Sequence, residues 1–317
     1  MKYEFQSGFA SQIKNMLEHR EVMGYSVLWH RQMLANFDRF CYEKHTGESI
    51  LTKEIAFAWC NDAEGSKGAN KACAIRGLAR YILAGGNEAY VMPTAFFPQQ
   101  KAKLPYIMND NEIKSFFEAA NRYPGNSINP LLGCIVPVIF RLQYACGMRP
   151  QEVRRLRCID FNYNDNTIYI VEGKHNKDRC IPVNQNIMNM CKEYNQIAEI
   201  LIPHREYFFQ SPRGGFYTAA WHENIFRKCW GMSENGARHG YCTPYILRHN
   251  YATQTLMRWI EEGKNLDAMI PYLSAYMGHE KFSATYYYIH LLPERLARMD
   301  FTGLDGIIPE VIDYEED

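Results

Sequence analysis

The chain has 317 residues, enough for two ordinary domains, and 47% of them are hydrophobic, so each domain can bury its own core. No run of about 18 apolar residues occurs, which excludes a helical membrane span, and the opening stretch MKYEFQSGFASQ has no secretory apolar segment, so a cytoplasmic protein is expected. The formal charge of zero hides an asymmetry: positions 300–317 carry seven acids and no lysine or arginine, which leaves 35 basic against 28 acidic residues elsewhere, a body compatible with a polyanionic partner.

Helical periodicity governs the first hundred residues. A first helix is expected around 9–17, and Ser26 is placed to cap a second one carrying Leu28, Met33, Leu34, Phe37 and Cys41. Thr52 opens a third through Ile55, Ala56 and Trp59, and a fourth spans 66–84 and stops at Gly85-Gly86. The spacing predicts a four- or five-helix module over 1–86. Positions 87–105 follow with Pro93, Pro98, Pro105 and the basic pair Lys101 and Lys103, punctuation without periodicity that is expected to be an interdomain linker.

The second domain, 106–299, has a mixed pattern. Helices are predicted at 110–121 and 131–144, the latter with a local kink at Pro137. Short strands at 158–163, 167–171 and 179–183, joined by two turns, make an antiparallel meander. Helices return at 186–200, 217–230, 244–261, 266–277 and 283–291. The expected fold class is therefore mainly α with a small antiparallel β-meander, in a helical N-terminal domain and an α+β second domain, ending in an acidic tail over 300–317.

Five local patterns carry chemistry. Gly147-Met148-Arg149-Pro150 places an arginine where one helix breaks and the next begins; Gly173-Lys174-His175-Asn176-Lys177-Asp178-Arg179 is a basic turn between strands. Thr243-Pro244-Tyr245-Ile246-Leu247-Arg248-His249 opens a helix, Met277-Gly278-His279 ends one, and Thr285-Tyr286-Tyr287-Tyr288-Ile289-His290 completes the series. Singly each has a plain structural explanation: a surface ion pair, a solvated hairpin edge, a helix cap, an amphipathic face. The ten cysteines stand singly without a CxxC pair, and the ten histidines form no HExxH pattern, so buried thiols are expected, with no metal site and no cofactor.

Together, and in this order, the patterns resemble the tyrosine recombinase (phage integrase-like) family, in particular its two-domain Xer-type members without an arm-binding domain. The resemblance covers nearly the whole chain. The family's first arginine matches Arg149, with Glu152 three residues on. Its hairpin lysine matches Lys174 in Gly173-Lys174-His175-Asn176-Lys177-Asp178-Arg179-Cys180-Ile181-Pro182, and its second arginine matches Arg248. The family spaces the histidine of Leu-Gly-His nine residues before the tyrosine of Tyr-x-His. His279 and Tyr288 keep that interval, which selects Tyr288 over Tyr286 and Tyr287.

The resemblance implies a helical core-binding (SAM-like) domain over 1–86 and a catalytic domain over 106–299. It implies site-specific recombination through a 3′-phosphotyrosine: Tyr288 attacks, Arg149 and Arg248 grip the phosphate, Lys174 protonates the leaving oxygen and His279 hydrogen-bonds the phosphate. Glu152 is expected to orient neighbouring cations. One position departs: the histidine usually found before the second arginine is Tyr245 here, and a phenol is a poor base at neutral pH, so the general base is left open. His249 and His290 are expected to serve helix packing.

The resemblance further implies double-stranded DNA with inverted half-sites as partner and a homo-oligomer, a tetramer, on paired sites. Lys67, Lys71, Arg76 and Arg80, with Lys101, Lys103, Lys177 and Arg179, are the expected DNA contacts. Apolar Ile307, Ile308, Val311 and Ile312 suggest that the tail docks on a neighbouring protomer. Two other outcomes fit the same scaffold: relaxation of one strand in the manner of a type IB topoisomerase, and DNA binding without cleavage.

Overall fold

The computed structural model describes residues 3–62, 68–97, 105–126, 128–171, 178–234, 236, 242–279, 281–289 and 291–292. The chain divides into two compact units, Met1–Lys103 and Leu104–Asp317. Among the described residues no helix is long and apolar enough to cross a membrane.

Four helices make up the described part of the first unit: α1 (Ala10–Val22), α2 (Leu28–Lys44), α3 (Lys53–Asn61) and α4 (Gly68–Ala84). They close over Phe9, Ile13, Leu17, Leu34, Phe37, Trp59, Ile75 and Leu78. Thr52 caps α3, its hydroxyl accepting from the Ile55 N–H at 3.4 Å. Ser26 does not cap α2; Val27 holds that position and no side chain caps it. Two buried charges tie the unit together. Asp38 accepts from the Ser7 hydroxyl at 2.6 Å, from the Ser7 and Gln6 N–H groups and from the Tyr3 hydroxyl, pinning the N-terminal segment. Lys71 donates to the carbonyls of Trp59 at 3.2 Å and Asp62 at 2.9 Å, capping the C-terminus of α3.

The segment expected to be linker begins later than position 87. Leu51 and Ala89 form a parallel bridge, Met92 is 1% exposed in the first core, and Phe96 and Phe97 pack on Phe57 with ring centroids 5.0 and 6.0 Å away. Backbone pairing and apolar burial hold these residues to the first unit.

In the second unit, α5 (Asp110–Asn121) starts in a capping box of Asn109 and Glu112. Helix α6 (Leu132–Ala145), with Pro137 inside it, buries Ile135, Val136, Ile139, Phe140 and Leu142 at the centre of the core. After α7 (Pro150–Arg155) come β1 (Phe161–Asn162), β2 (Thr167–Ile170) and β3 (Arg179–Pro182), an antiparallel sheet in the order β1-β2-β3, with Ile168 opposite both Phe161 and Ile181. Positions 158–160, expected as strand, form a single 3-10 turn instead, because the Asp160 carboxylate accepts from the Arg157 N–H at 2.7 Å and its guanidinium at 3.1 Å.

Helices α8 (Gln185–Leu201) and α9 (Ala219–Met232) complete this core, Phe226 and Trp230 packing on Phe116. A second apolar cluster lies between α10 (Tyr245–Glu261), α11 (Leu266–Met277) and α12 (Ser283–Ile289), and takes in Leu256, Trp259, Leu273, Met277 and Tyr288. This second cluster carries the site.

Candidate active site

Apart from Arg179, which opens β3, each functional side chain in the second unit stands in or beside the first or last turn of a helix. Gly147, in the left-handed region at φ +57°, turns the chain from α6 into α7; a Cβ there would fall 2.4 Å from the Tyr251 ring. Arg149 then precedes α7, with Pro150 at its first position. Gly278, at φ +66°, ends α11 in the same conformation and presents His279, whose N–H returns to the Ser274 carbonyl at 2.9 Å.

Glu152 is the electrostatic hub. Its carboxylate takes the Arg149 N–H at 2.8 Å and the Arg149 guanidinium at 2.6 Å, and both Arg179 nitrogens at 3.0 and 2.8 Å. Burial alone would raise its pKa, but the hydrogen bonds and charge of Arg179, followed by those of Arg149, hold it at about 2. Arg179 also donates to the Tyr276 carbonyl at 2.9 Å and Arg149 to the Gly278 carbonyl at 2.6 Å. The sequence places Arg179 among the expected DNA contacts. Its guanidinium is instead committed to Glu152 and the end of α11, where it braces Arg149.

Arg248, 2% exposed, donates to the Gly147 carbonyl at 2.6 Å, to the Met277 carbonyl at 2.8 Å and to His279 Nε2 at 2.8 Å. Burial first, and then the charge of Arg149, lower its pKa to about 10, so it stays cationic at neutral pH. A guanidinium only donates, so Nε2 of His279 must be the acceptor. The ring proton therefore sits on Nδ1, which faces the Thr285 hydroxyl at 2.7 Å. Burial, followed by the charges of Arg248, Arg149 and Arg179, lowers the His279 pKa to about 3, which keeps the ring neutral. The motifs do not single out Thr285; its signal in the sequence is its place one helical turn before Tyr288 on α12.

The three adjacent tyrosines go separate ways. Tyr286 is 40% exposed and its hydroxyl donates to Asp267 at 3.2 Å. Tyr287 is half-buried. Tyr288 is 4% exposed and stacks on His279, with ring centroids 6.0 Å apart at 14°, while His249 contacts its ring at 5.6 Å and 51°. Burial raises the Tyr288 pKa, and the Arg248 charge and hydrogen bond pull against it. Tyr245 is 44% exposed on α10, one turn before His249.

The structure thus brings together Arg149, Glu152, Arg179, Arg248, His279 and Tyr288. Lys174, Lys177 and His290 lie outside the described residues, as do Lys67, Lys101, Lys103 and the tail 300–317. On α4, Arg76 is half-buried and Arg80 exposed, but Lys71 is 1% exposed and does not belong to a solvated face. The five-residue step from Lys71 to Arg76 turns a helix by about 140° off register. Lys71 instead falls in line with buried Ile75, Leu78 and Ile82.

The family model described as "Phage integrase family" matches residues 107–295. The chain is similar to a putative integrase/recombinase y4rB of Sinorhizobium fredii, 25% identical over 304 residues that cover 91% of this chain and 94% of that protein. It is similarly related to the tyrosine recombinase XerD of Rickettsia conorii, 25% identical over 309 residues, or 92% and 96% of the two chains. In fold it resembles the XerH site-specific recombinase bound to its difH substrate, with a TM-score of 0.63, 19% identity and coverage of 92% of this chain and 84% of that one. A lambda integrase dimer bound to a COC′ core site gives a TM-score of 0.61, 14% identity and coverage of 93% and 79%.

Proposed function

Because the chain belongs to the phage integrase family, tyrosine recombinases that break and rejoin DNA, we propose that Tyr288 is its nucleophile and that Arg149 and Arg248 bind the phosphate it attacks. The observation that carries this reading is the burial of Tyr288, alone of three neighbouring tyrosines, against His279 and Arg248. The phenolic oxygen forms a bond to phosphorus while the bond to the 5′ oxygen breaks, leaving a 3′-phosphotyrosine and a 5′-hydroxyl. Bond energy is kept in the phosphotyrosine, so the reverse attack by a 5′-hydroxyl rejoins a strand without ATP.

Both arginines keep N–H groups beyond those used on carbonyls, Glu152 and His279. Those groups can take the non-bridging oxygens, and the guanidinium charges stabilise the added negative charge at phosphorus. Lys174 is the candidate acid for the leaving oxygen. In the arrangement described, Nε2 of His279 is an acceptor, so donating from it to the phosphate requires a proton there. Glu152 and Arg179 hold Arg149 in place. The reading extends to duplex DNA with inverted half-sites, a tetramer on paired sites joined by the C-terminal tail, DNA contacts from Arg76, Arg80, Lys67, Lys101, Lys103 and Lys177, and work in the cytoplasm.

The test starts from duplexes selected out of a random-sequence pool by binding to the purified protein. A nick is placed beside each candidate cleavage position, so that a short fragment diffuses away and traps the covalent product. Wild type is expected to give an adduct that resists denaturing electrophoresis, and Tyr288→Phe none. Adduct from Tyr288→Phe would mean another nucleophile; binding without any adduct from wild type would favour a protein that binds but does not cut.

A further inference from the structure

Attack by Tyr288 requires its hydroxyl proton to leave, and burial makes that loss harder than in water. Tyr245 is a phenol, not an imidazole, and a phenol is a poor proton acceptor. His279 packs against Tyr288, but both of its ring nitrogens are engaged, Nε2 by Arg248 and Nδ1 by Thr285. Among the described residues one other imidazole contacts the Tyr288 ring, that of His249, at 5.6 Å between centroids. It stands on α10 one turn after Tyr245, with those two rings 6.1 Å apart. Its Nδ1 is buried and has no hydrogen-bond partner. A buried nitrogen left unpaired is costly, and a catalytic role is one explanation for it; His30 and His222 also bury an unpaired Nδ1, but of these three rings only that of His249 contacts Tyr288.

We propose that His249 is the proton acceptor for Tyr288, taking over from the next turn of α10 the task that the Tyr245 phenol cannot perform. The inference rests on Tyr288 being the nucleophile. As the Tyr288 oxygen bonds to phosphorus, its proton passes to His249; the bond to the 5′ oxygen breaks and that oxygen leaves with a proton from the acid of the site. In rejoining, the imidazolium returns its proton to the departing Tyr288 oxygen.

The groups facing the His249 ring are Tyr245 and Arg248 from its own helix and Tyr288 from α12. Burial, and then the Arg248 charge, lower the His249 pKa to about 4, so before DNA binds the ring is neutral at neutral pH and a weak base. The arriving phosphate brings a negative charge that favours the imidazolium.

The experiment compares wild type, His249→Ala, His249→Asn and the double variant Tyr245→His/His249→Ala, at saturating protein on the nicked duplex, from pH 6 to 9. Each duplex is also made with sulfur replacing the scissile 5′ oxygen, a leaving group that needs no acid. Both single variants are expected to bind the duplex as wild type does and to form adduct on the order of 10²-fold more slowly. Their defect should persist with the sulfur substrate and narrow as pH rises and tyrosinate becomes available without a base. The double variant should regain at least about tenfold by restoring an imidazole one turn earlier.

Cleavage by His249→Asn within about threefold of wild type would overturn the proposal, since a general base contributes about 10²-fold or more. So would recovery on the sulfur substrate, which would put His249 on the leaving-group side. A defect independent of pH and not rescued by Tyr245→His would leave His249 a packing residue. Tyr288→Phe, run alongside, separates these results from failure of the nucleophile assignment: adduct from that variant would sink the assignment itself.

Discussion

Replacing Glu152 with glutamine should destabilise the second unit strongly, although Glu152 never touches substrate in the proposed mechanism. The side chain is 7% exposed, and its carboxylate is the shared partner of Arg149 and Arg179. Lowering its pKa from 4.5 to about 2 corresponds to roughly 3 kcal/mol at neutral pH. Breaking a buried ion pair by removing one partner costs about 3–5 kcal/mol by a separate route, because two guanidinium groups lose their counter-charge. For a unit of this size, about 3–5 kcal/mol is a fall in melting temperature of about 6–20 °C.

The pH dependence fixes the sign. A carboxylate whose pKa is lower in the folded state adds stability above its unfolded value, and loses it as pH falls from 4.5 toward 2. The gap between wild type and Glu152→Gln should therefore narrow by roughly 1 kcal/mol between pH 7 and about 3.5. Both proteins also weaken as pH falls below 6.5, because His222, His249 and His279 are held neutral with pKa values of about 3, 4 and 3. The losses from His222 and His249 cancel in the difference, and that from His279 cancels except for the small contribution of the Glu152 charge to its pKa. Urea unfolding at each pH measures the difference. A gap under about 1 kcal/mol at pH 7, or one that does not change with pH, would refute the reasoning.

Gly278→Ala should cost about 1–3 kcal/mol in urea unfolding, since it forces a Cβ into the left-handed region. That Cβ would lie 2.8 Å from the Arg179 guanidinium, so adduct formation should fall as well. Thr285→Val removes the hydroxyl facing His279 Nδ1; an unsatisfied ring N–H costs about 1–3 kcal/mol, and adduct formation should slow while DNA binding persists in a gel-shift assay. Lys71→Ala should destabilise the first unit by about 2 kcal/mol or more, because the α3 carbonyls lose a charged donor. A deficit confined to DNA affinity with unchanged unfolding would instead restore Lys71 to a DNA-facing role.

What could be read from sequence and what could not follow from one distinction. Thr52, Gly85-Gly86, Gly147 and Gly278 mark helix ends through their own backbone chemistry, so the helices and the order of the site motifs were legible locally. The partners of a charge were not. Arg179 sits in a basic turn, and nothing nearby in sequence reveals that its carboxylate is Glu152, 27 positions away. Lys71 has the spacing of a surface lysine relative to Lys67, yet it also falls on the apolar stripe of α4. That stripe was the better guide.

The same distinction explains how the arginines are placed. Arg248 is anchored on the carbonyls of Gly147 and Met277, and Arg149 on that of Gly278. These carbonyls lie at the C-terminal ends of α6 and α11, where peptide dipoles favour cations. Each glycine turn thus contributes a carbonyl as well as a change of direction, and the two helix ends hold both arginines before any phosphate arrives. Little reorganisation is then left for the moment of reaction, which is the condition under which fixed charges act most strongly on a transition state. Gly147 and Gly278 thus belong to the site through their backbone atoms, and a side chain at either position should disturb the phosphate binding proposed for Arg149 and Arg248.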